Sequence, residues 1–174
     1  MTDFEKMENE FLEKWFADNN GSSFLKDGVI DAQTYFNEDT KVLFVLKEAN
    51  WPNGQDDMKK YLQDPKLTGN WWKTWNNVAR WTLALLDGSE YPKYISGEQR
   101  AAILSRIAFI NLKKEGGGAQ ADSEKIADAA KKDSEYIKRQ IEMYSPDIII
   151  CCGQRGESNA SILRDYVLLD NVSE

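Results

Sequence analysis

Apolar residues recur at spacings of three and four over residues 3–18 (Phe4, Met7, Phe11, Leu12, Trp15, Phe16), which predicts an amphipathic helix. The turn-rich run Asn19-Asn20-Gly21-Ser22-Ser23 closes it. Residues 29–37 hold no clear period and read as a short irregular or edge element. The pattern then changes. Val42-Leu43-Phe44-Val45-Leu46 is apolar without a break, with Val42, Phe44 and Leu46 on one face and Leu43 and Val45 on the other. A strand apolar on both faces is covered on both faces, as in the parallel sheet of an α/β fold.

Residues 52–69, with two prolines and two glycines, read as a long loop with one helical turn near 58–62. Asn70 is placed to cap a helix running to Asp87, with Trp71, Trp75, Val78, Ala79, Thr82, Leu85 and Leu86 inward and Gly88 as the stop. A short helix over 98–105 leads into a strand over 107–112. Gly116-Gly117-Gly118 forms a flexible or tightly turned loop. One helix is predicted from Asp122 or Ser123 to Tyr144, with Ile126, Ala130, Ile137, Ile141 and Tyr144 on one face and Pro146 as its end. A strand over 148–152 stops at Gly153, and a last helix spans about 156–169. Strands alternating with helices predict a single three-layer α/β/α domain over residues 1–174, without internal repeats or linkers. Ligands of such sheets bind outside the carboxyl ends of the strands, here 48–51, 111–114 and 153–155.

At 174 residues, 41% hydrophobic and 29% charged, the chain has a globular composition. No apolar run reaches the length of a membrane span and the first ten residues are acidic, so the expectation is a cytoplasmic protein without a membrane partner. The net charge of −7 argues against general nucleic-acid binding. Residues 91–114 nevertheless carry Lys93, Arg100, Arg106, Lys113 and Lys114 against Glu98 alone, a local basic stretch or a solvated surface. The chain has no histidine, which removes His-based triads, His-ligated zinc and the commonest neutral-pH acid–base. Its two cysteines, Cys151 and Cys152, are adjacent. On a strand they point to opposite faces, so they read as buried thiols. No metal and no cofactor is expected.

Three constellations can carry chemistry. Gly116-Gly117-Gly118 lacks the Lys-Ser/Thr of a phosphate loop and Gly153-Gln154-Arg155-Gly156 lacks the dinucleotide fingerprint, so both read as loops whose N–H groups can meet an anion. Trp71 and Trp75 share a helix face and read as core, whereas Trp72 and Trp51 are candidates for stacking on a base or sugar. The third set is Glu48, Asn50 and Asn111 at two strand ends. A carboxylate there can orient a water or stabilise a developing cation, and an amide can read a base edge; the plainer reading is that all three cap loops.

Three motifs, in order, resemble the uracil-DNA glycosylase superfamily, and most of all its iron–sulfur-containing bacterial and archaeal branch. Val45-Leu46-Lys47-Glu48-Ala49-Asn50 is similar to that branch's strand followed by Gly-Glu-Ala-Pro-Gly. Ile107-Ala108-Phe109-Ile110-Asn111-Leu112-Lys113-Lys114 is similar to its strand ending in Asn-x-x-Lys. The segment from Tyr136 through Pro146 and Ile148-Ile149-Ile150 to Gly153 resembles its helix, proline and strand ending in glycine. The resemblance covers roughly residues 41–165. It implies a central, mainly parallel four-stranded sheet and a pocket that takes a flipped nucleotide and hydrolyses its N-glycosidic bond, a hydrolase of DNA repair. In that scheme Glu48 is the catalytic carboxylate that orients water or stabilises the growing cation, Asn111 reads the base, Lys114 is the motif lysine, and Trp51 lies near where an aromatic stacks on the base. An alternative register sets Asn50 against the asparagine of branches whose first motif reads Gly-Met-Asn-Pro-Gly.

The chain departs from that pattern. Leu46, Lys47 and Trp51 stand where the first motif has its glycines, and the four cluster-binding cysteines are missing. The late His-Pro-Ser loop and the C-terminal strand before it have no counterpart. Loss of one such preorganised donor costs about 100- to 1,000-fold in rate. The expected activity on duplex uracil DNA is therefore low, and the expected partners are single-stranded or damaged DNA or a free nucleotide. The alternatives are an inactive relative acting through protein partners, or a shortened product without activity.

Overall fold

The structure, a computed structural model, describes residues 2–19, 23–51, 55–66, 73–118, 120–153 and 157–169. Helix α1, Asp3–Asp18, starts at a capping box: Thr2 accepts from the Glu5 N–H, and Glu5 reaches back to the Thr2 N–H. Phe11, Leu12 and Trp15 of the predicted stripe are buried; Met7 is exposed, and Glu8 is buried on the same helix. Two short strands, β1, Phe24–Lys26, and β2, Gly28–Val29, come where no element was expected, and the ambiguous stretch over 29–37 becomes mainly α2, Ala32–Asn37, which Asp31 caps through the Thr34 N–H.

Strand β3, Val42–Leu46, is buried throughout. The helical turn expected near 58–62 is α3, Met58–Gln63, and the loop expected before it holds a short strand, β4, Gln55–Asp57. Helix α4, Lys73–Asp87, buries Trp75, Val78, Ala79 and Thr82, whereas Leu85, predicted inward, is exposed. Helix α5, Gly97–Leu104, and strand β5, Ala108–Asn111, follow. The helix predicted from 122 to 144 is two, α6, Ser123–Lys132, and α7, Ser134–Tyr144. They break at Asp133, whose carboxylate accepts from Asn19 Nδ2 at the end of α1. Aspartate favours such outside partners over the helix interior. Strand β6, Ile148–Cys151, precedes α8, Asn159–Leu163, which runs into a π-helical turn, Arg164–Leu168, where one continuous helix was predicted. Asn70, Trp71, Trp72 and residues 154–156 lie outside the described residues.

The main sheet has the order β2-β5-β3-β6. Strand β3 runs parallel to β5 and to β6, and β2 pairs antiparallel with β5 at one edge. Strands β1 and β4 form a separate parallel pair. The chain is thus mixed α/β with a parallel-rich sheet, as the strand pattern predicts. Leu43, Val45, Ala108 and Ile110 pack on one face against α1, α6, α7 and α8. Val42, Phe44, Leu46 and Phe109 pack on the other against α3, α4 and α5. Among the described residues no helix is long and apolar enough to cross a membrane.

Candidate functional site

The carboxyl ends of β3 and β5 lie side by side. Leu46 is in register with Asn111, and the pairing runs on: the N–H groups of Leu112 and Lys113 donate to the carbonyls of Leu46 and Lys47, each at 3.0 Å. Side chains alternate along extended chain. Leu46 and Glu48 therefore share a face with Phe109, Asn111 and Lys113, while Ile110, Leu112 and Lys114 share the other. Over the first face opens a cavity of about 530 Å³, within the range of small-molecule sites. Glu48, Asn50, Trp51 and Asn111 all line it, over a floor of Leu46, Ala49 and Met58. The first turn of α4 contributes Lys73, Thr74 and Trp75.

Glu48 is nearly covered, its side chain 7% exposed, and its Oε2 lies 2.7 Å from Lys113 Nζ. Gly117 holds the far side of this carboxylate. A Cβ at Gly117 would stand 2.0 Å from Glu48 Cδ, so only glycine lets the loop pass. The Gly117 N–H donates to the Ala49 carbonyl at 2.8 Å, and Gly117 bridges to Asn50. The glycine run is thus a tight turn that clamps residues 48–50. Trp51, half-buried, meets Tyr61 edge-on with ring centroids 4.8 Å apart. Trp75 is buried and edge-on to Phe109 at 4.8 Å, so it is core and cavity wall at once. Asn50 is exposed on the rim.

Asn111 is buried at 2% exposure and held by Asp27, which accepts its backbone N–H at 2.7 Å and its Nδ2 at 3.3 Å. That contact fixes which end of the amide faces Asp27 and leaves Oδ1 without a hydrogen-bond partner among the described residues.

Lys114 is not in the cavity. It sits on the opposite face, with Nζ 2.7 Å from both oxygens of Asp27, 3.0 Å from Gln140 Oε1 and 4.6 Å from the centre of the Trp15 ring. Burial holds its amine below the ordinary lysine value against the pull of Asp27. Gln140 Nε2 donates to Asp27 at 2.9 Å and to the Tyr144 hydroxyl at 2.7 Å. At the far end Glu8 accepts the Val29 N–H at 3.0 Å and pairs with Lys59. Gly28, at φ +134°, allows this convergence: a Cβ there would be 2.2 Å from Glu8 Oε1 and 2.5 Å from the Tyr144 hydroxyl. A buried polar chain thus runs from the interior to Asn111 at the cavity wall.

Sequence reasoning missed Lys113, Gly117 and Asp27. Lys113 was legible, since strict alternation from Asn111 selects it over Lys114. No protein-family model, curated protein or solved structure matches this chain. The site combines an oriented carboxylate, two amides and an aromatic wall, a set suited to a flat ring with hydrogen-bonding edges.

Proposed function

We propose that this cavity binds a nucleobase or nucleotide, and that the protein is a divergent relative of the uracil-DNA glycosylase superfamily, built on that family's central four-stranded sheet. The observation that carries the reading is the convergence of Glu48, Asn50 and Asn111 on one cavity with an aromatic wall. Asn111, anchored by Asp27, offers an acceptor to the base edge; Trp51 flanks the ring; Asn50 closes the rim. Glu48 orients a water toward the sugar C1′ and stabilises the positive charge that grows there. The C1′–N bond breaks with its electrons leaving on the base, a C1′–O bond forms to water, and the water's proton ends on the base. With no histidine to assist the leaving base, turnover is slow, and single-stranded DNA or a free nucleotide is the favoured substrate.

The Lys113 contact favours a second reading, binding without hydrolysis, because the ammonium occupies Oε2 of the carboxylate and offsets the negative charge with which it would stabilise a growing cation. Base release from single-stranded and duplex oligonucleotides carrying uracil, hypoxanthine or xanthine separates the two. Release that falls by about 100-fold or more in Glu48→Ala supports hydrolysis. No release from any substrate, with binding intact, leaves the second reading.

A further inference from the structure

Three strands of the main sheet are fully buried, whereas β6 is not. Ile148 is 37% exposed and Ile149, Ile150 and Cys151 are each partly exposed. Strand β6 ends the sheet order, paired with β3 on one side only among the described residues. The N–H groups of Ile148 and Cys152 donate to the carbonyls of Lys41 and Val45. By the alternation of a parallel ladder, the N–H and C=O groups of Ile149 and Cys151 point outward. Natural edges are blunted by lysine, proline, a bulge or an inward charge. Ile-Ile-Ile-Cys has none of these.

We propose that this edge pairs with the same edge of a second copy, antiparallel about a two-fold axis. The strand is complementary to itself: with the axis at Ile150, Ile150 opposes Ile150 of the copy, the outward-facing Ile149 and Cys151 form the hydrogen-bonded pairs, and no charge enters the ladder. The strand ends match in charge. Asp147 is exposed at one end, where its carboxylate accepts the Lys41 N–H at 2.7 Å. At the other the Lys47 side chain, whose Nζ carries several N–H groups and donates one to Ser123 Oγ at 3.0 Å, lies against Gly153 with Cε 3.3 Å from the place of a Gly153 Cβ. Antiparallel pairing brings Asp147 of each copy toward Lys47 of the other. An axis perpendicular to the sheet keeps like faces together. Trp81, 40% exposed and stacked on Phe44 at 6.4 Å, belongs to the same face as Ile150, the register partner of Phe44, so the two Trp81 side chains flank one seam. A four-residue ladder with two tryptophans is small beside the roughly 1,000 Å² of a stable interface, so the dimer is weak and forms with rising concentration.

Sedimentation of the whole chain over a dilution series tests this, with Ile148→Lys and Trp81→Gln beside the parent and circular dichroism to check folding. The expected result is a monomer–dimer equilibrium in the parent, weakened tenfold or more in both folded variants. Hydrogen exchange needs no variant: the Ile149 and Cys151 amides are expected to gain protection as the parent is concentrated. A parent that stays monomeric at every concentration overturns the proposal. So do larger open-ended assemblies, a dimer untouched by both substitutions, or amides whose exchange ignores concentration.

Discussion

Lys113 Nζ lies 2.7 Å from Glu48 Oε2, and that contact ties the end of one parallel strand to the end of its neighbour at the mouth of the cavity. Exposed ion pairs contribute about 1 kcal/mol or less. This pair is largely covered, with the two side chains 17% and 7% exposed. A double-mutant cycle of Lys113→Met and Glu48→Gln is expected to give a coupling of about 1–3 kcal/mol in urea denaturation. A coupling near zero would mean that the contact does not orient the carboxylate.

Gly117→Ala drives a methyl group into the Glu48 carboxyl. It is expected to lower stability by about 1–3 kcal/mol and to abolish ligand binding by displacing Glu48. Gly118, with nothing within 4 Å of its Cβ position, is the internal control, and Gly118→Ala is expected to change stability by less than about 0.5 kcal/mol. Equal effects of the two substitutions would contradict the clamp.

Asp27 accepts from Asn111, Lys114 and Gln140 while fully buried. Asp27→Leu leaves the Lys114 ammonium without a counter-charge and is expected to cost about 3–5 kcal/mol. Adding Lys114→Met to it should recover a large part of that loss. Denaturant midpoints of the single and double variants decide; a double variant no more stable than Asp27→Leu would show that the charge is not what the aspartate balances.

Buried phenols make the fold sensitive to alkali. Burial pushes Tyr144 and Tyr35 above the ordinary 10.0, and the hydrogen bond to Asp18 pushes Tyr136 up to about 12. Above pH 10.0 the unfolded chain releases phenolic protons that the native chain keeps, so the native state binds more protons and stability falls as pH rises. Lys114, held low by burial, acts in the opposite sense below 10.5, but the three phenols and the Cys152 thiol, which burial pushes up to about 11, act together against it. Urea midpoints followed from neutral pH to about pH 11 should therefore decline beyond about pH 10, less steeply in Tyr35→Phe. A flat or rising profile would contradict this.

The helices and strands were largely legible because their signals are local: spacing by threes and fours over 3–18, an unbroken apolar run at 42–46, caps and glycines at the ends. The division at Asp133 was not, since it depends on Asn19, more than a hundred residues away. Glu48, Asn50, Trp51 and Asn111 were legible as strand-end residues, because parallel sheets bring such ends together. Lys114 was misplaced because the motif was followed in preference to the alternation, which turns every second side chain to the far face. Gly117 and Asp27 act through contacts between distant segments, Gly117 against Glu48 and Asp27 against Asn111, which no local pattern records.

Calorimetric titration with uracil, hypoxanthine, xanthine and their nucleotides, on the parent, Asn111→Ala and Glu48→Ala, is the direct test of the strand-end cavity as a nucleobase site. Saturable binding of at least one of these ligands is predicted, weakened about tenfold or more in Asn111→Ala. Absence of binding by every ligand, or binding that both substitutions leave unchanged, would contradict it.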